Sequence, residues 1–155
     1  MRSIEDLVAE LPTFAGLDPD QRELIAGCGS NRVFEAGEHL AREGDAADTF
    51  FAIRHGRIAL ELVAPGRGPL MIATIGAGSV VGWSWLFPPY RWSFDARALE
   101  RVRAVAFDGA CLRGKCEDDK ALGYELMRRF TAIMLERLQA TRLQLLDVYG
   151  GSGGK

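Results

Sequence analysis

Six aromatic residues crowd into twelve positions: Trp83, Trp85, Phe87, Tyr90, Trp92 and Phe94. All three tryptophans of the chain are among them. Between and beside them stand Gly82, Ser84 and Ser93, and two guanidiniums, Arg91 and Arg97. Aromatic walls with a cation beside them suit a pocket for a flat or apolar ligand anchored through an anion. The same side chains can instead pack on one another and fill the space as core. Other chemistries find no footing. His39 and His55 are sixteen residues apart, and neither has a Cys or an acid at metal-ligand spacing, so no metal site is expected. The chain contains no G-x-S-x-G, no P-loop and no G-x-G-x-x-G. No catalytic residue emerges, and the chain reads as a non-enzyme.

The bulk numbers narrow the class further. A chain of 155 residues suits one domain with a buried core. Its composition, 48% hydrophobic and 26% charged, is that of a soluble globular protein. Net charge is −2, without the basic excess that a phosphate-backbone binder needs. The densest cations, Arg128, Arg129, Arg137 and Arg142, follow a helix that is also apolar, which suits a protein contact better than nucleic acid. The opening MRSIEDLVAEL lacks the apolar stretch of a secretion signal, and no run of apolar residues is long enough to span a membrane. A cytoplasmic protein is expected. Cys28, Cys111 and Cys116 are odd in number and irregularly spaced, and they read as three reduced thiols. They are too few for a four-cysteine iron–sulfur site.

The aromatic segment must be positioned by its neighbours. Ser3 with Asp6 signals a helix start, as does Asp18-Pro19-Asp20-Gln21, giving helices over 3–11 and 19–27. Between residues 31 and 107 the pattern changes to short Val-, Ile- and Phe-rich runs broken by glycine turns. These runs are 32–34, 39–41, 49–54, 57–63, 70–75, 79–81, 93–98 and 102–107. About eight short strands with turns at regular intervals predict an antiparallel jelly-roll barrel. The fold class is therefore mainly β with flanking helices. Asp108 caps a short helix over 109–115, and Asp118 or Asp119 caps a long one over 119–149. Residues 1–149 form one domain, and the Gly/Ser-rich 150–155 reads as a flexible tail.

In the long helix Tyr124, Met127, Thr131, Met134, Leu138, Thr141, Leu145 and Val148 alternate at spacings of three and four. That seam predicts a homodimer. Packing of the helix on its own barrel alone is the competing explanation. The two threonines are ill-suited to a dry zipper and better suited to a polar ligand.

Three stretches carry a resemblance. Glu43-Gly44-Asp45-Ala46-Ala47-Asp48-Thr49-Phe50-Phe51-Ala52-Ile53-Arg54-His55-Gly56 resembles the G-D-x-x-D-x-x-Y-x-I-x-x-G signature of the cyclic-nucleotide-binding domain, with Phe51 where Tyr is usual. Leu11-Pro12-Thr13-Phe14 resembles the family's entry segment, and Ile75-Gly76-Ala77-Gly78-Ser79-Val80-Val81-Gly82 resembles the strand leading into its phosphate-binding cassette. The chain is therefore identified as similar to sensor domains of the cyclic-AMP receptor superfamily over residues 8 to 149. The resemblance implies the double-stranded β-helix barrel, a ligand held between barrel and long helix, and a regulatory role. In that family a cassette Glu accepts the ribose hydroxyl and an Arg pairs with the cyclic phosphate. Here Trp83 occupies the Glu position and Trp92 the Arg position.

Binding of cyclic AMP or cyclic GMP is accordingly expected to be weak, with no resident cofactor. The candidate ligand is a cyclic nucleotide or another small aromatic or anionic molecule. The candidate pocket comprises Gly82, Trp83, Ser84, Arg91, Trp92, Ser93, Arg97, Thr141 and Arg142. Of these, Thr141 matches the family's helix hydroxyl that meets adenine. Arg91 and Arg97 are the replacement anion donors. A ligand-free interaction module with a filled pocket is the alternative, as is a sensory fragment of a transcription regulator. The family's helix–turn–helix does not follow within these residues, so the expected output is a protein partner or the dimer state, not DNA.

Overall fold

Turn residues set the strand lengths here, and two-residue alternation then assigns the faces. The computed structural model describes residues 3–66 and 68–153, with side chains as far as Asp147. Among the described residues eight strands form: β1 Gly29–Phe34, β2 His39–Ala41, β3 Thr49–His55, β4 Ile58–Ala64, β5 Gly68–Ile75, β6 Val80–Val81, β7 Asp95–Ala98 and β8 Val102–Asp108. Each expected run becomes one strand, with ends shifted by at most two residues except in β1, which starts three residues earlier than expected. The strands build two four-stranded antiparallel sheets, ordered β1-β8-β3-β6 and β2-β7-β4-β5. This is the jelly roll the spacing predicts. Gly56 has φ +92°, and a side chain there would run into the carbonyl of Arg101, so the β3–β4 turn requires glycine.

Alternation along β3 and β8 divides the core in two. Phe51, Ile53, Val102, Ala104 and Ala106 point between the sheets, where they meet Ile58, Leu60, Ala96, Trp92 and Phe94. Phe50, Ala52, Val105 and Phe107 point the other way, onto a layer of helices.

Those helices are α1 Ile4–Glu10, α2 Pro19–Ala26, α3 Gly109–Asp118 and α4 Lys120–Gly153. Short 3-10 turns sit at Pro12–Phe14 and Ser84–Leu86. The start signals work as read. Ser3 and Asp6 form a capping box, Asp18 and Gln21 form another with Pro19 in the first turn, and Asp108 accepts from the Cys111 amide. Asp119 does the same for Leu122 at the start of α4.

Three expectations need correction. First, α3 runs on to Asp118, three residues past its expected end at 115. Second, α4 continues through Gly153, where a tail from residue 150 was expected. Glycine costs about 1 kcal/mol relative to alanine in a helix, but only proline removes the backbone donor, and none stands there. Residues 154–155 of the expected tail, and the Val148 side chain of the seam, lie outside the described residues. Third, the three cysteines are not all free thiols. Cys28, in the turn between α2 and β1, and Cys111, in α3, form a disulfide with Cα atoms 5.9 Å apart. Cys116 remains a thiol, and burial pushes its pKa up.

The first turns of α4 are locked down. Leu122, Leu126 and Phe130 are fully buried. Arg129 donates to the carbonyls of Thr13 (2.9 Å) and Ala15 (2.6 Å), and Lys115 of α3 reaches the carbonyl of Leu24 (2.7 Å). Farther along, Leu135, Leu138, Leu143, Leu145 and Leu146 are exposed.

Candidate functional site

The aromatic segment divides between the two cores. Trp85 turns into the helix layer, where it is fully buried. Its ring stacks on Phe50 at 4.9 Å and meets Phe130 edge-on at 5.3 Å. Trp92 and Phe94 turn into the barrel and are each 5% exposed. Trp83 is half-buried between them and α4, edge-on to Phe94 at 5.6 Å.

The end of this segment is clamped to the β2–β3 turn. Gly44 donates to the Trp92 carbonyl, Trp92 to that of Asp45, and Ala47 to that of Tyr90. The clamp brings Ala46 and Arg91 into an isolated bridge, and alternation then sends Trp92 inward and Arg91 outward. Arg91 is exposed and donates to the Gly44 carbonyl at 2.9 Å. Inside, Trp92 lies directly over Gly82. A Cβ on Gly82, which has φ +100°, would sit 2.6 Å from the indole. The space above that glycine is occupied by the indole.

Between the barrel and α4 remains a cleft of about 490 Å³. Leu60, Ile72, Trp83 and Phe94 line it from the barrel. Thr131, Met134, Leu135, Arg137, Leu138, Ala140 and Thr141 line it from the helix. Thr131 and Thr141 spend their hydroxyl protons on the carbonyls of Met127 and Arg137 (2.6 and 2.9 Å), so each presents only an acceptor. Arg137 donates through Nη2 to the Val80 carbonyl, and its Cζ lies 5.3 Å from the centre of the Trp83 ring. Burial lowers its pKa to about 10.

Of the predicted pocket residues, Trp83 and Thr141 line this cleft. Gly82 and Trp92 lie in the barrel core behind it. Ser84 opens the 3-10 turn, and Arg91, Ser93 and Arg142 are exposed away from the lining. Arg97 needs a correction. On β7 it shares parity with Asp95, and both face outward, away from Ala96 and Ala98 in the barrel. Arg97 forms a two-pronged ion pair with the buried Glu61 at 3.0 and 2.9 Å. That bond holds the Glu61 carboxyl below the usual glutamate range, against the opposing pull of burial. Arg97 is therefore a framework residue and no free anion donor. Asp95 accepts from the Glu43 amide at 2.7 Å, with His39 at 3.9 Å.

The predicted seam also divides. Thr131, Met134, Leu138 and Thr141 face the chain's own cleft, whereas Tyr124, Met127 and Leu145 are exposed without lining it. Among the described residues, no group of three or more His, Cys, Asp and Glu could hold a metal ion. Nor is any helix long and apolar enough to cross a membrane.

A family model for the cyclic nucleotide-binding domain matches residues 31–119, more than half of the chain. The chain belongs to this family. A CRP-like cAMP-activated global transcriptional regulator of Mycobacterium tuberculosis is 23% identical over 94% of the chain and 63% of its own length. A cAMP-dependent protein kinase regulatory subunit of Schizosaccharomyces pombe is 30% identical over 67% of the chain and 24% of its own length. The chain thus spans less than two-thirds of the curated relatives. A solved Geobacter metallireducens GS-15 structure, named as a cyclic nucleotide-binding protein, superposes with a TM-score of 0.78. It is 31% identical and covers 89% of this chain and 99% of that one. The domain is thus a cyclic-nucleotide-binding fold of the regulatory kind.

Sequence reasoning named Trp83 and Phe94 as aromatic walls but missed Leu60, Ile72 and Ala73 on the barrel, and Leu135, Arg137 and Ala140 on the helix. The signal for Arg137 was present. It stands one helical turn before Thr141, on the same face.

Proposed function

We propose that this domain is a non-catalytic sensor whose ligand sits between the barrel and α4, and that it takes cyclic AMP and cyclic GMP weakly. The observation that carries this is Trp92, whose indole fills the space over Gly82. A hydrogen bond to a charged group contributes roughly 1.5–3 kcal/mol. Losing the family's acid and guanidinium together therefore weakens the nucleotide on the order of a hundredfold to ten-thousandfold. The open cleft beside Trp83 supports ligand binding over the reading of a filled, ligand-free interaction module.

The exposed residues Tyr124, Met127 and Leu145 support a homodimer through α4. The regulatory names of the relatives support a role in signalling without catalysis, in the cytoplasm. There the Cys28–Cys111 bond would depend on the redox state. A second reading, the sensory part of a larger transcription regulator, is favoured by the 63% span of the mycobacterial relative.

Titration calorimetry with cyclic AMP and cyclic GMP tests the proposal. The expected outcome is no saturable heat at micromolar nucleotide. Saturation at micromolar concentration would overturn it.

A further inference from the structure

A second groove, of about 540 Å³, lies on the helix-side face of β3 and β8 and shares no residue with the cleft beside α4. Ala52 and Val105 form its floor, and α1 closes one side with Leu7 and Leu11, all of them buried. Its mouth is cationic. Arg54, His55, Arg101 and Arg103 line it, and all four are exposed. Glu10 is the one acid of the lining.

The topology gathers these charges. Alternation along β8 puts Arg103 on the same face as Val105. On β3 the register slips between Ile53 and His55, and Arg54 stands in that irregularity. Its side chain reaches over β8 to β1, where it donates to Asn31 Oδ1 at 3.1 Å. Asn31 stands opposite Val105 in the ladder, and Arg103 is the next residue of β8 on that face. Two guanidiniums thus share one stretch of sheet. Arg101 has Glu35 at 3.6 Å, but both ends of that pair are exposed, so it is worth little. Among the described residues Arg103 forms no ion pair. The whole chain has a net charge of −2, and this groove has the opposite sign.

The surroundings select among polyanions. Nucleic acid wants an extended basic stripe or stacking platforms, and the lining holds no Phe, Tyr or Trp. A membrane surface wants apolar side chains to insert, and those of the lining are buried. A small anion wants enclosure, whereas these cations stand exposed at the rim. Exposed guanidiniums around an open groove match carboxylates presented by another protein.

We propose that this groove docks an acidic segment of a partner protein, whose carboxylates pair with Arg54 and Arg103. The Asn31 bond holds the Arg54 guanidinium in place beforehand, which lowers the ordering cost of docking. Because no residue is shared with the cleft, partner and ligand can be held at once.

The test is fluorescence anisotropy of a labelled octaglutamate peptide on the unaltered chain, with hydrogen–deuterium exchange as the map. Saturable binding is expected at about 50 mM salt, weakening as salt rises. Protection should appear on residues 52–55 and 101–105. Replacing both cations, Arg54→Gln with Arg103→Gln, should weaken binding about tenfold. Arg128→Gln, an exposed cation of α4, should leave it within about twofold. Far-UV circular dichroism verifies that the variants are folded, and the exchange map needs no mutation. An equal loss in Arg128→Gln, or protection that misses the groove, makes the binding general charge attraction and overturns the site. Tighter binding of octathymidylate, an anion of similar charge, assigns the groove to nucleic acid and overturns the acidic partner. Absence of saturable peptide binding overturns the proposal outright.

Discussion

Trp83 and Trp85 stand two positions apart and end in opposite surroundings. Trp85 is enclosed by Phe50, Phe130 and the helix layer, with nothing of it exposed. Trp83 has Phe94 on one side, a guanidinium on another and an open cleft in front. Trp83 precedes the 3-10 turn at Ser84–Leu86 and Trp85 lies within it, so the two do not share one face as alternate residues of a strand would. The lesson is that a run of aromatics need not serve one purpose. The closed side joins barrel, α3 and α4 into one body, and the open side leaves a surface that can respond.

The contrast can be broken most sharply on the closed side. Trp85→Ala should cost about 3–5 kcal/mol, because it removes a large, fully buried ring from a stack. Urea unfolding followed by circular dichroism measures it, and a loss below about 1 kcal/mol would mean the helix layer is not the tight core described. Reducing the Cys28–Cys111 bond comes next. It ties residues 83 apart in sequence and should lower stability by about 2–4 kcal/mol. Thermal melts with and without reductant, with Cys28→Ser as the control, test this. If that variant is as stable as the oxidised chain, the two thiols are not bonded in solution. The smallest effect belongs to the open side. Trp83→Ala should change stability by about 1–2 kcal/mol, since a half-exposed ring loses less burial. A cost equal to that of Trp85→Ala would erase the distinction between the two surroundings.

Much of this was legible beforehand. Strand spacing, both capping boxes and the jelly roll follow from local rules of turn chemistry and alternation. So does the parity of Arg97 with Asp95. What alternation cannot supply is which of two faces is the inner one, and the sequence leaves open that Arg97 faces outward onto Glu61 of β4. The disulfide was hidden for a related reason, since only the packing of α3 on α2 brings Cys111 to Cys28. The outward turn of Arg91 depends on its bridge to Ala46, a long-range pairing that no local pattern displays. Least readable was Arg137, whose Nη1 is buried without a hydrogen-bond partner, since the absence of a partner is a property of the assembled site and of no motif.

The anchoring of α4 is uneven, and that has a mechanical meaning. Its opening turns are riveted by Leu122, Leu126, Phe130 and the Arg129 bonds to the Thr13–Ala15 corner. Its outer half is held to the barrel by Arg137 at Val80 and by an exposed bond from Gln144 to the Ile72 carbonyl, 2.9 Å long. Exposed single bonds open cheaply, whereas buried clusters do not. Local opening of the helix therefore costs least in its outer half, where the exposed leucines sit, and most in the riveted turns up to Phe130.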